Sequence, residues 1–155
     1  MIKKRDLFLK QDDGALSLYI DGASRGNPGP AGVGVVLYDG GSQILWEFGK
    51  FIGETTNNVA EYRALIEGLK KAKELGGNEV DCFLDSELVV KQLRGEYKLK
   101  NYNMQKLFDE ARKAAGGFRR VSYTHVRREE DQMPRADQLV NFALDEAVRK
   151  AKWRS

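Results

Sequence analysis

The sequence predicts an α/β domain built on a mixed five-stranded sheet with helices on both faces. Three observations carry this expectation. Apolar and polar residues alternate in three consecutive stretches joined by short turns, the pattern of an antiparallel meander. Helix and strand patterns then take turns through the rest of the chain, which implies parallel pairing through crossover helices. The length, 155 residues, suits one domain.

The elements follow in order. Residues 1–14 read as a polar arm, leaving 15–155 as the domain. Leu16, Leu18 and Ile20 alternate with Ser17, Tyr19 and Asp21, a half-buried strand ending at Asp21. Gly22 to Gly32, rich in glycine and proline, reads as a loop. Val33 to Tyr38 is a second strand, turned by Asp39-Gly40-Gly41 into a third that carries Ile44, Trp46 and Phe48. Asn57 or Asn58 caps a helix that runs to about Leu75 and stops at Gly76-Gly77. Val80 to Leu84 is a short apolar strand ending in Asp85-Ser86. Helices are expected over Glu87–Leu93 and Met104–Ala115, a fifth strand over Arg119–Val126, and a final amphipathic helix over Ala136–Lys150.

Composition narrows the chemistry. A single cysteine, Cys82, excludes an internal disulfide and a four-cysteine zinc site. A single histidine, His125, excludes a multi-histidine metal site. No apolar run approaches the ~20 residues needed to span a bilayer, and the N-terminus lacks a signal-peptide core. The expectation is a soluble cytoplasmic protein with no membrane partner. Charge is segregated: Ser86 to Arg128 carries eleven Lys/Arg against four Asp/Glu, a local +7 in a chain of net +3. Such a stretch either meets an anionic partner or forms a solvated basic helix face.

Four of the 23 acids sit where acids are costly. Asp21 and Asp85 each end an apolar strand, and these strands should be parallel neighbours. Glu61 shares a helix face with Ala64, Leu65, Gly68 and Ala72, the small residues expected to meet the sheet. Asp137 is in line with Val140, Asn141, Leu144 and Val148. Each has an ordinary explanation: Asp21 as a turn cap, Asp85 with Ser86 as a helix cap, Asp137 at a helix start, Glu61 in a buried ion pair. As a group they point to one sheet edge, where open α/β sheets bind ligands. Oxygen donors without imidazole or thiolate suit magnesium or manganese. Four acids can hold two such ions roughly 3.5–4 Å apart, the spacing of two-metal phosphodiester chemistry.

Four sequence blocks deliver these acids in order: Tyr-Ile-Asp-Gly-Ala-Ser-Arg-Gly-Asn-Pro-Gly-Pro-Ala-Gly (19–32), Thr-Thr-Asn-Asn-Val-Ala-Glu-Tyr (55–62), Leu-Asp-Ser-Glu-Leu-Val-Val (84–90) and Arg-Ala-Asp-Gln-Leu-Val-Asn (135–141). In them the chain resembles type I ribonuclease H from Leu16 to about Ala147. The resemblance implies sheet order 3-2-1-4-5 and hydrolysis of the RNA strand of RNA–DNA hybrids, leaving 3′-hydroxyl and 5′-phosphate ends. It implies Asp21, Glu61, Asp85 and Asp137 as catalytic ligands of two Mg2+, with Mn2+ as substitute. Gly22, Asn27, Asn57 and Asn58 would meet the minor groove of the hybrid, where 2′-hydroxyls mark the RNA, and Thr56 a DNA phosphate. A monomer needing no protein partner is expected.

Departures from the family pattern are expected to matter. Glu87 stands where the family often has glutamine. Tyr97-Lys98-Leu99-Lys100-Asn101-Tyr102 leads quickly to one helix, so the basic handle of better-known bacterial members is expected to be absent. Lys98, Lys100, Tyr97 and Tyr102 read either as backbone contacts or as an amphipathic surface. With only about 15 residues before the first strand, no N-terminal hybrid-binding domain is expected. Many members carry a loop histidine shortly before the last acid. His125 instead alternates with Val121 and Tyr123 and has two readings, a structural strand residue or a proton-transfer and product-release group. In the first case the loop acids Glu129, Glu130 or Asp131 would take the role.

Overall fold

A computed structural model of the protein describes residues 15–154; the polar arm assigned to residues 1–14 lies outside the described residues. The chain forms β1 (Ala15–Ser24), β2 (Gly29–Tyr38), β3 (Ile44–Thr55), α1 (Asn57–Glu74), β4 (Glu79–Leu84), α2 (Glu87–Leu93), α3 (Tyr102–Ala115), β5 (Arg120–His125) and α4 (Met133–Arg154). The sheet order is β3-β2-β1-β4-β5. The meander β1–β2–β3 is antiparallel, and β4 and β5 join in parallel beside β1. This is the mixed sheet that the sequence predicts.

Both faces of the sheet are covered, so the central strands bury both sets of side chains. Leu16, Leu18 and Ile20 meet Leu65, Leu69 and Ala72 of α1, with Val89 and Val90 of α2 and Ala111 of α3 completing that core. Tyr19, Val36 and Tyr38 form a smaller core with Met133 and Ala136 of α4 on the opposite face. Tyr19 stacks on Phe83 with centroids 4.6 Å apart. At about 25 cal/mol per Å² of apolar surface removed from water, these two layers supply the main force that fixes α1 and α4 on the sheet.

The first hairpin differs from the sequence reading. Gly22–Ser24 and Gly29–Gly32 are paired strand, in register Gly22↔Val33, Ala23↔Gly32 and Ser24↔Ala31. Only residues 25–28 form the turn. Asp21 therefore lies inside β1 and caps nothing. Glycine serves here for closeness: a Cβ on Gly22 would stand 2.2 Å from the carbonyl carbon of Ala60, and one on Gly34 would stand 2.2 Å from the Ala136 carbonyl oxygen. These two contacts let α1 and α4 approach the sheet beside Asp21.

Residues 94–101 connect α2 to α3 without a helix between them, so the handle is absent. Part of the local +7 lies far from the acidic edge. Arg119 pairs with Glu79 at 2.6 Å and Arg120 with Asp81 at 2.7 Å, at the start of β4. No helix among the described residues is long and apolar enough to cross a membrane.

Candidate active site

Three of the four predicted acids converge. Asp21, Glu61 and Asp85 each present a carboxylate oxygen within 4.8 Å of the others. Asp21 is 1% and Glu61 2% exposed. Glu61 Oε1 accepts the Gly22 N–H at 2.8 Å, which ties the first turns of α1 to β1. Asp21 Oδ2 and Glu61 Oε2 are buried without a hydrogen-bond partner. Leaving such atoms unpaired costs about 1–3 kcal/mol each, more for charged groups, so a compensating cation fits this position.

The ordinary explanations for these acids fail on inspection. Ser86, not Asp85, is the N-cap of α2, its hydroxyl accepting Val89 N–H at 3.2 Å. Thr56, not Asn57 or Asn58, is the N-cap of α1, accepting Val59 N–H at 3.3 Å. Helix α4 begins at Met133, three residues earlier than the pattern shows, so Asp137 lies beyond its first turn. No basic group pairs with Glu61 among the described residues.

The electrostatics fit a cation-binding site. Burial pushes the Asp21 carboxyl up to about 7, with the neighbouring charges of Asp85 and Asp137 adding to the shift. Burial first, and Asp21 and Asp85 next, raise Glu61 well above the usual carboxylate range. Asp137 stands outside the tight triad but faces Asp85 across the Arg128 guanidinium. Its carboxylate accepts from Asn141 Nδ2 at 3.3 Å and is more open than the others. Two features hold α4 here. Gly34 admits the Ala136 backbone, and Arg135 grips Glu47 of β3 with two bonds of 2.8 and 2.7 Å.

Arg128 is a site residue that the sequence reading passed over. Its Nε lies 3.5 Å from Asp85 Oδ2 and 4.0 Å from Asp137 Oδ1. In an Arg-Arg-Glu-Glu-Asp run it reads as one more solvated charge, and only its place between two acids distinguishes it. His125 is the last residue of β5, exposed and paired in register with Leu84. Glu129, Glu130 and Asp131 lie in the exposed loop that follows; Glu130 pairs with Arg127 at 3.3 Å.

The expected groove-reading residues form a hydrogen-bonded chain beside the acids. Asn57 Oδ1 accepts the Ser24 N–H at 2.7 Å and the Ser24 hydroxyl at 3.1 Å, while Asn27 Oδ1 accepts the Asn57 N–H at 3.0 Å. Both amide oxygens are thus engaged by the protein. The NH2 groups of Asn27 and Asn57 have no partner among the described residues and remain available as donors. Asn58 is half-buried next to them. Thr56 uses an oxygen lone pair for its cap, which leaves its O–H free to donate. Tyr97, by contrast, is occupied: Lys91 lies 5.0 Å over its ring and 3.4 Å from its hydroxyl.

A buried carboxylate cluster where the parallel pairing of β1 and β4 stops defines a domain equipped for divalent cations and phosphoryl substrates. Comparison with known proteins agrees with that class. The profile of the family described as "Reverse transcriptase-like" matches residues 19–143. The bifunctional protein Rv2228c of Mycobacterium tuberculosis is 46% identical over 132 residues, which are 84% of this chain and 36% of that protein. Ribonuclease HI of Halobacterium salinarum is 46% identical over 134 residues, 86% of this chain and 66% of that one. The chain thus spans about a third of the length of the mycobacterial relative. Among solved structures, the N-terminal RNase H domain of Rv2228c superposes with TM-score 0.84 at 43% identity, covering 88% of this chain and 98% of that one. LC11-RNase H1, solved in complex with an RNA/DNA hybrid, gives TM-score 0.80 at 41% identity over 86% of this chain and 99% of that one. The chain belongs to the type I ribonuclease H family.

Proposed function

We propose that the protein is an endonuclease that hydrolyses the RNA strand of RNA–DNA hybrids with two divalent metal ions, leaving 5′-phosphate and 3′-hydroxyl ends. The observation that carries this reading is the convergence of Asp21, Glu61 and Asp85 with two buried, unpartnered oxygens. Together with Asp137 they would hold Mg2+ or Mn2+, since the donors are all hard oxygens. Such ions supply Lewis-acid stabilisation of the phosphodiester and a water that ionises near neutral pH. Asp21 and Glu61 contribute a dry, rigid cradle, and Asp85 and Asp137 its more open side. The Asn27 and Asn57 amide groups, with Asn58 and the Gly22 segment, would read 2′-hydroxyls in the minor groove. The Thr56 hydroxyl would donate to a DNA phosphate. The hybrid held by LC11-RNase H1 supports the substrate class. No protein partner is needed for this chemistry, and the domain over 15–155 would act as a monomer.

The test is cleavage of matched RNA–DNA hybrid, duplex RNA and duplex DNA with magnesium or manganese. Only the hybrid should be cut, with loss of at least a hundredfold in Asp85→Asn at unchanged circular dichroism. Full activity in Asp85→Asn, or equal cutting of all three duplexes, refutes the proposal.

A further inference from the structure

Beyond the catalytic edge lies a groove of about 550 Å³ between β3, α1 and α3. We propose that this groove holds single-stranded DNA as it leaves the hybrid, an inference that rests on the proposed substrate but concerns a different surface. Cations stand on all three walls: Lys50 on β3, Arg63 and Lys70 on α1, and Lys106 on α3. None of the four has a hydrogen-bond or ion-pair partner for its side chain among the described residues. Arg119, Arg120, Arg135 and Arg149 elsewhere are all paired. The groove's acids are Glu67 and Glu110, which leaves it net positive.

Position and shape favour a strand over a small anion. Thr55 and Val59 line the groove beside Thr56, the expected DNA-phosphate contact. Arg63 and Lys70 stand about 10 Å apart in rise along α1, a spread that suits successive phosphates of a strand rather than one small anion. A cleft of this volume is of small-ligand size and too small to admit a duplex. Among its mostly polar lining stand the half-buried Phe48, which stacks on Trp46, and Ile52, so a strand there would meet some apolar surface beside the charges. A basic track with apolar and aromatic surface is how proteins bind single strands without reading sequence. The handle is absent, so this groove gives the DNA strand a second hold.

The test compares parent protein, Lys70→Glu/Lys106→Glu, and a charge-matched control on the opposite face, Arg149→Glu/Lys150→Glu. Binding of a fluorescent single-stranded DNA 12-mer is followed by anisotropy. Cleavage is followed on blunt hybrid and on hybrids with a six-nucleotide DNA or RNA overhang at either end. A DNA overhang should lower KM about fivefold and steepen the salt dependence by about 0.7 per phosphate engaged. The groove variant should lose that gain, and bind the 12-mer at least fivefold more weakly, with blunt-hybrid kinetics within twofold of the parent. Undiminished 12-mer binding, or equal loss in the control, overturns the groove whatever the hybrid assay shows. An equal gain from RNA overhangs overturns the DNA assignment. Absence of blunt-hybrid cleavage overturns the proposed function alone.

Discussion

Asp21→Asn should make the metal-free protein more stable while abolishing its cleavage activity. Burial and the acids around it raise the Asp21 carboxyl from 3.8 to about 7. Keeping a carboxyl raised that far in its ionised form costs about 4 kcal/mol above pH 7. The asparagine amide, an imperfectly paired polar group in the same buried place, offsets roughly 1–2 kcal/mol of the relief. The net gain is about 2–3 kcal/mol at pH 8, or roughly 5–10 °C in Tm for a domain of this size. The pH dependence has a definite sign. Between about 4 and 7 the native state holds a proton that the unfolded chain has released, so stability falls as pH rises. The parent in chelator should therefore melt lower at pH 8 than at pH 5, and Asp21→Asn should flatten that slope. Thermal or urea unfolding in chelator at both pH values measures it. A variant no more stable than the parent at pH 8, or one with the same pH slope, would refute the argument from buried charge. Saturating magnesium should reverse the ranking, because only the parent gains the full set of ligands.

Two further substitutions separate recognition from architecture. Asn57→Asp keeps the acceptor for Ser24 but loses the outward donors and adds charge near phosphate. It should raise KM for hybrid tenfold or more with Tm within about 2 °C, and an unchanged KM in steady-state cleavage would remove Asn57 from the groove-reading set. Gly34→Ala drives a methyl into the Ala136 carbonyl oxygen. Overpacking of this kind costs about 1–3 kcal/mol. The shift of α4 carries Asp137 with it, so melting and cleavage should both fall, and retention of both would show that α4 can yield without consequence.

How much was legible in the sequence depended on whether a residue's neighbours were local. The strands around Leu16–Ile20 and Val33–Tyr38 were readable because alternation and turn chemistry are local signals. Their continuation through Gly22–Ser24 and Gly29–Gly32 was not, because glycine there serves the approach of α1 and α4 and leaves no hydrophobic pattern. The convergence of Asp21, Glu61 and Asp85 followed from the ends of the apolar runs and a helix face, although β1 itself continues three residues past Asp21. Which residue caps which helix did not, since Thr56 and Asn57, or Asp85 and Ser86, differ only in a backbone angle that tertiary contacts decide. Arg128 was illegible for a related reason: a cation in a charged loop acquires meaning only from the two acids it faces. The basic stretch misled in part, because Arg119 and Arg120 serve β4 rather than a ligand.

The contacts that join β1 to α1, Gly22 N–H to Glu61 and the Ser24 N–H and hydroxyl to Asn57, run side by side along the same pair of segments. The Gly22 contact ends on a carboxylate of the acidic cluster, and the Ser24 contacts end on the amide proposed to meet the ribose. The backbone between them therefore acts as a ruler. On the proposed reading it would fix how far along the duplex the scissile bond lies from the sugar that is checked, independently of base sequence. In the proposed function, these contacts would set cleavage at a constant offset from an inspected ribose rather than at a preferred base.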